Sequence, residues 1–277
     1  MILNKIVAHK RQVLKAQQEA LPLACLQALA ADRSPPLSLA AALRRPGVAL
    51  IAEVKRASPS KGLLSADLDA ASLAKTYVAG GAAAISVLTD ERFFRGTLQD
   101  LTRVKSAVSD SNSPVPVLRK DFIIDPYQVV ESCAHGADAL LLIAAILSQD
   151  LLNDLLALTH EMDMLALVEI HDQKELERVV RLSPQVVGIN NRNLEDFSVD
   201  MATFGRLRPQ LPREVVAVAE SGVHSAADLR ALRAMSADAV LVGEALVTAP
   251  DVAAKVREFA DAGGVEGGEM GLGAARR

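Results

Sequence analysis

The chain has 277 residues, of which 50% are hydrophobic and 23% charged, with 30 basic and 34 acidic side chains for a net charge of −4. This composition excludes a disordered chain and allows a large core without disulfide or metal staples. The near-balance of charge gives no reason to expect nucleic acid or an anionic membrane as partner.

Residues Leu3–Ala20 have helical spacing, with Leu3, Ile6, Val7 and Leu14 on one side. The basic group at Lys10–Lys15 then reads as a solvated helix face. A short helix follows at Leu37–Arg44, broken by Pro46 and Gly47. After it, eight short apolar runs recur: Ala49–Glu53, Ala83–Leu88, Val115–Leu118, Ala139–Ile143, Leu165–Ile170, Val186–Ile189, Val215–Ala219 and Ala239–Val242. Their spacing averages about 27 residues, the length of one strand–helix unit. They lack polar alternation, as parallel strands covered on both faces do. Helical segments fall between them at Asp67–Val78, Pro126–Ala134, Asp150–Glu161, Asp172–Leu182, Ala226–Met235 and Asp251–Ala262. Ser225 and Asp228 resemble a capping box. The pattern predicts an α/β fold, a single (β/α)8 TIM barrel with an N-terminal helical extension. The competing open doubly wound sheet lacks its G-x-G-x-x-G after the first strand. The expected division is residues 1–48 for the extension, 49–262 for the barrel, and 263–277, with six glycines, for a disordered tail.

Two cysteines, Cys25 and Cys133, make no disulfide framework and read as buried small hydrophobes in a reducing compartment. The longest apolar run, Ala139–Leu147, is well short of the roughly twenty residues of a membrane span. Met1–Lys10 lacks the apolar stretch of a signal peptide, so a soluble cytoplasmic protein is expected.

Five charges interrupt strands that should be apolar: Glu53, Lys55, Lys120, Glu169 and Glu220. Burying an unpaired charge is costly, so such residues are paired or functional. All five lie toward the C-terminal ends of their runs, where a barrel carries its active site. Two lysines and three glutamates converging there suit proton transfer. A structural ion-pair layer is the bland alternative, and Glu220 in particular suits orienting a lysine. Three Gly/Ser clusters suggest a phosphate site: Ser58–Gly62 after the first strand, Ser221–Gly222 after the seventh, and Gly243–Ala245 after the eighth. The histidines (His9, His135, His160, His171 and His224) have no metal-ligand spacing and read as surface or loop residues.

The segment Ile51-Ala-Glu-Val-Lys-Arg-Ala-Ser-Pro-Ser-Lys-Gly62 resembles the first-strand signature of the indole-3-glycerol phosphate synthase family. The resemblance continues through Ser86–Asp90 with Phe93, Phe94 and Gly96, then Leu118–Phe122, Leu167–Ile170, Gly188–Leu194, Ala219–Gly222 and Leu241–Glu244. It spans about Leu3 to Phe259.

That resemblance implies conversion of 1-(2-carboxyphenylamino)-1-deoxyribulose 5-phosphate to indole-3-glycerol phosphate, carbon dioxide and water, with no metal or organic cofactor. It implies Lys120 as general acid, Glu169 as acid/base partner, Lys55 near the substrate carboxylate and Glu53 polarising the cluster. Asn190 and Ser221 match polar contacts at the reacting centre, with Glu220 in support. Arg192 matches a carboxylate contact, while Phe93, Phe94 and Leu194 match a wall for the anthranilate ring. Ser58, Gly222, Gly243 and the backbone of Glu244 match a phosphate cradle. Family members often carry Ser after Gly-Glu in the eighth loop; Ala245 here removes one hydroxyl, a modest weakening. The expected partners are a phosphosugar substrate, no nucleic acid and no membrane, with the chain a monomer or weak homo-oligomer. Because the sequence ends soon after the eighth helix, a single-function enzyme without a fused phosphoribosylanthranilate isomerase is expected. The rivals are another phosphosugar barrel enzyme and a non-catalytic phosphate-binding barrel.

Overall fold

Eight parallel strands close into a barrel in chain order, each joined to the next by helical crossovers. They are β1 (Ala49–Val54), β4 (Ala84–Leu88), β5 (Val117–Lys120), β6 (Ala139–Ile143), β7 (Leu165–Ile170), β8 (Val186–Asn190), β9 (Val216–Glu220) and β10 (Ala239–Val242). A two-residue hairpin, β2 (Ala57–Ser58) with β3 (Gly62–Leu63), rises from the loop after β1. The computed structural model describes residues 2–111, 113–193 and 197–264. Among the described residues, no helix is long and apolar enough to cross a membrane.

Side-chain alternation divides each strand between two cores. Ile51, Leu118, Leu141, Leu167, Val218 and Leu241 fill the barrel interior. Leu50, Ile85, Val117, Leu140, Val168 and Val240 pack outward under the helices. The outer ring comprises α4 (Ala70–Ala79), α6 (Leu98–Ser109), α7 (Pro126–Ala134), α8 (Gln149–Glu161), α9 (Gln173–Val180), α10 (Ala202–Leu207), α11 (Ala226–Ala234) and α13 (Val252–Gly263), with short turns α5 (Glu91–Phe94) and α12 (Glu244–Val247) at the mouth. The Ser225–Asp228 capping box opens α11 as expected. A second box, Thr97 with Asp100, opens α6, a helix outside the segments expected from the sequence. Its N3 residue is Asp rather than the usual Glu or Gln. β5 starts at Val117 rather than Val115, because Pro114 and Pro116 have no N–H for the ladder.

The N-terminal segment wraps the barrel from end to end. Helix α1 (Ile2–Ala20) sits at the mouth, and α2 (Leu23–Ala31) packs on α7. Helix α3 (Leu39–Leu43) then closes the bottom, burying Leu39, Ala40 and Leu43 with the interior core. Two expectations are corrected here. Lys10 is 6% exposed rather than solvated, because it pairs with Asp90 at 2.8 Å and Asp121 at 2.7 Å. Cys25 is exposed; only Cys133 is buried. At the C-terminal end, the Gly263 carbonyl accepts from the Val48 amide at 2.7 Å. The Gly264 carbonyl accepts from Arg233 at 2.7 Å. The bonded chain therefore extends two residues past the expected boundary at 262, and residues 265–277 lie outside the described residues.

Candidate active site

The alternation that fills the barrel with branched apolar residues also places its charges. Glu53, Lys120, Glu169, Asn190 and Glu220 occupy interior positions at the last turn of β1, β5, β7, β8 and β9. They line a cavity of ≈ 190 Å³ at the mouth, together with Lys55, Ser58, Phe94, Arg192, Ser221, Gly222, Gly243 and Glu244. The expected site residues therefore meet in one place, with two exceptions. Phe93 does not line the cavity; its ring packs edge-on against His9 at 5.9 Å and lies under Arg92. It follows the N-cap residue Asp90 in a single turn of helix, so adjacent Phe93 and Phe94 point apart. Phe122, 6.1 Å from Phe94, supplies the second aromatic wall instead. Leu194 lies outside the described residues.

Lys120 is the hub. Its Nζ lies 3.2 Å from Glu169 Oε2 and 3.3 Å from Glu220 Oε2, and the side chain is 15% exposed. Burial disfavours the ammonium, but Glu220, Glu169 and Glu53 outweigh burial and raise its pKa. Lys120 is therefore charged, and holds its proton more tightly than a free lysine. Burial likewise disfavours the Glu169 carboxylate, but Lys120, His171 and Asn190 outweigh it and hold the group well below the usual range. The Asn190 amide donates to Glu169 Oε1 at 3.2 Å. Glu220 goes the other way: burial pushes it up, Lys120 only partly offsets this, and Glu169 adds to the rise. Its Oε1 has no hydrogen-bond partner among the described residues. Two buried carboxyls thus share one ammonium, and Glu169 keeps the charge. Glu53 Oε1 stands 3.4 Å from Lys55 Nζ.

Lys120 is braced from outside the barrel. Arg119, one residue earlier, points to the helix layer, 2% exposed, and bonds Glu131 at 2.9 Å and Asp121 at 3.1 Å. Asp121 also accepts from Thr89 at 2.7 Å and pairs with Lys10 of α1. Burial would raise the Asp121 carboxyl, but Lys10 and Arg119 hold it far below its ordinary value. Both ends of the Arg119-Lys120-Asp121 segment are therefore tied down.

Another part of the lining suits an anion. Ser221 and Gly222 both take positive φ (65° and 85°), a sharp turn after β9 that costs Ser221 some strain. A Cβ on Gly222 would stand 2.6 Å from Met201 Sδ. Ser58, buried at 7%, accepts from the Lys61 amide at 3.2 Å. In α12 the N–H groups of Glu244 and Ala245 have no carbonyl one turn back within the helix. Arg192 is tied at 3.1 Å to the Phe197 carbonyl.

Several lining residues were not foreseen. Ile2, Leu3 and Ile6 of α1 reach the cavity, as do Asp121, Phe122, Phe197 and His224. The apolar face of α1 was legible, but nothing in its spacing shows what it covers. His171 is not a free loop residue. Its side chain is 13% exposed, with Nε2 3.2 Å from Glu169 Oε1 and Nδ1 3.1 Å from Glu175 Oε2. Its only sequence signal is its place two residues after a strand-end glutamate.

Comparison with known proteins gives a consistent result. The family model described as indole-3-glycerol phosphate synthase matches residues 3–259. Proteins of that name from Roseiflexus sp. (strain RS-1) and Rhodococcus opacus (strain B4) are 51% and 49% identical, over 93% and 95% of this chain and 97% and 96% of theirs. The Mycobacterium tuberculosis protein of that name is 46% identical over 95% of this chain and 94% of its own. Among solved structures, 3-hexulose-6-phosphate synthase from Salmonella typhimurium shares the fold with TM-score 0.59 at 13% identity, covering 78% of this chain and 98% of that one. A thiamine phosphate pyrophosphorylase from Pyrococcus furiosus does so with TM-score 0.60, also at 13% identity, over 81% of this chain and 97% of its own.

Proposed function

The chain belongs to the indole-3-glycerol phosphate synthase family, and from that premise we propose that it closes the indole ring of 1-(2-carboxyphenylamino)-1-deoxyribulose 5-phosphate, with loss of carbon dioxide and water. The observation that carries the reading is the ammonium of Lys120 at 3.2 Å from Glu169, in a cavity whose lining also includes a Gly/Ser group and the cations Lys55 and Arg192. The substrate has a phosphate at one end and a carboxylate at the other. The Ser58, Gly222, Gly243 and Glu244 backbone wall takes the phosphate. Lys55 and Arg192 take the carboxylate.

Ring closure needs the substrate carbonyl carbon to accept electrons from the aromatic carbon that bears the carboxylate. Lys120 donates its proton to the carbonyl oxygen as the new carbon–carbon bond forms. Its high proton affinity fits a donor that releases only when negative charge develops on that oxygen. The cation left in the ring system accepts the electron pair of the breaking bond to carbon dioxide, so no separate electron sink is required. Lys120, reprotonated from solvent, then gives a proton to the new hydroxyl, which leaves as water, and Glu169, already ionised, removes the adjacent carbon-bound proton to complete the indole. Glu53 and Glu220 hold the two lysines. This chemistry is that of a carboxy-lyase in tryptophan biosynthesis, and its proposed setting is the cytoplasm.

The test is turnover of that substrate followed by indole fluorescence, over the low background of a chain with no Trp. Lys120→Ala is expected to lose about 10³-fold in kcat with its far-ultraviolet dichroism intact. A folded wild-type protein that gives no fluorescence, or a Lys120→Ala variant with near-normal kcat, would overturn the reading.

A further inference from the structure

Two carboxyls face Lys120 at nearly equal distance, yet they must differ in role: the dehydration step needs one that is reliably ionised. Lys120 reaches both, with its hydrogen bond to Glu169, and Asn190 donates to Glu169 as well. His171 adds a second positive group on the same side, because it touches Glu169 and not Glu220.

We propose that His171 is a positioning residue for Glu169: an imidazolium clamped between Glu169 and Glu175 that keeps the site carboxylate charged and oriented. The inference rests on the reading of Glu169 as the acid/base group.

The geometry is built into the junction of β7 and α9. His171 lies two residues beyond Glu169, so its side chain leaves the chain on the same side of the strand path. Glu175 stands in the first turn of α9, where Asp172 caps the helix and accepts from the Glu175 amide at 2.9 Å. Glu175 Oε2 accepts from the His171 backbone amide at 2.8 Å as well as facing Nδ1 at 3.1 Å. Glu175 is therefore fixed relative to the ring from two directions.

Each ring nitrogen faces a carboxylate oxygen. With one nitrogen 3.2 Å from Glu169 and the other 3.1 Å from Glu175, two carboxylates flank the ring and both stabilise its charged form. Burial opposes the charge, but Glu169 and Glu175 overcome it and push the ring up to about 10. The charged groups facing the ring are Glu169 from β7 and Glu175 from α9; Lys120 from β5 lies beyond Glu169. The Nε2 contact is ionic rather than an aligned hydrogen bond, while Asn190 donates the aligned bond to the same oxygen. The contribution of His171 is therefore its charge, which a neutral donor does not replace.

The experiment has two arms. In the first, nitrogen-15-labelled histidine is followed by NMR across pH in the wild-type protein, with the His171 ring signals assigned by their loss in His171→Gln. The ring is expected to remain an imidazolium through pH 8, and Glu175→Gln to bring its titration down. In the second, kcat/KM is measured against pH. His171→Gln is expected to move the acid limb up by about one unit and lower kcat several-fold at neutral pH, with KM little changed. A merely structural role would lower stability without moving that limb. A ring that loses its proton below pH 7, or an acid limb within 0.2 unit of wild type, would overturn the proposal. If His171→Gln does not fold, His171→Asn takes its place, and the wild-type ring titration decides on its own. A wild-type protein that fails to turn over the substrate would sink the functional reading, while the NMR arm still reports on the clamp.

Discussion

Gly188→Ala should cripple the site from a position that carries no functional group. Gly188 sits inside β8, outside the left-handed region, so alanine suits its backbone. The obstacle is space. A Cβ there would overlap Glu220 Oε1 and stand 3.2 Å from Glu220 Cδ and 3.3 Å from Leu167 Cδ1. Leu167 is fully buried in the barrel interior, so the carboxyl is the group that yields. Moving it by about 1 Å stretches its 3.3 Å contact with Lys120. That carboxyl keeps its proton, so the contact is a hydrogen bond from an ammonium to a neutral group, and stretching it costs about 1 kcal/mol. Two consequences oppose each other. A weaker hold makes Lys120 a slightly better acid, by less than tenfold. A misplacement of about 1 Å costs up to roughly 10²-fold. The second wins, and kcat should fall about tenfold. Overpacking should cost about 1–3 kcal/mol, roughly 2–10 °C in Tm. The assay is fluorescence-detected turnover with thermal unfolding. Adding Glu220→Asp, one methylene shorter, should recover part of the lost Tm, a coupling expected of groups in contact. Wild-type kcat and Tm in Gly188→Ala would refute the reasoning.

Two further outcomes are expected. Lys10→Met leaves Asp90 buried without its cation and Asp121 with Arg119 alone, a change worth about 3–5 kcal/mol unless α1 lifts away first. Tm at pH 7 should drop on the order of 10 °C and KM should rise, because Ile2, Leu3 and Ile6 leave the cavity wall with α1. Asp121 is depressed in the fold, so its contribution is complete above about pH 4, the ordinary carboxylate value, and is lost as pH falls further. The acid decline in wild-type Tm below that pH should be shallower in Lys10→Met; equal slopes would disprove the pairing. Ending the chain at Ala262 rather than Gly264 removes the acceptors of the Val48 amide and of Arg233. A Tm several degrees below that of the chain ending at Gly264 is expected, and identical melting curves would show these bonds to be idle.

The barrel and most of its site were legible because both depend on local rules. Parallel strands buried on two faces read as unbroken apolar runs, so a charge inside one is conspicuous; Glu53, Lys120, Glu169 and Glu220 stand out that way. Arg119 escaped notice, although it is buried as deeply, because it lies beside Lys120 at a strand end and its partner Glu131 is on the next helix. Lys10 is illegible for a related reason: the charged edge of a helix looks the same in sequence whether it meets water or two aspartates. Phe93 and Phe94 were inseparable in sequence, and only the turn of helix after Asp90 sends one ring into the cavity.

Sequence alone determined the eight-fold repeat, the strand-end charges and the Gly/Ser loops, since period, burial and turn chemistry act over a few residues at a time. Tertiary structure alone decided which carboxyl keeps its proton, because that depends on distances set by barrel closure. Glu169 and Glu220 are alike in sequence, each within the last two residues of a strand. One gains Asn190 and His171 beside Lys120, and the other has an oxygen with no partner among the described residues. Charge then settles where the compensating groups stand, and no window along the chain contains all of them.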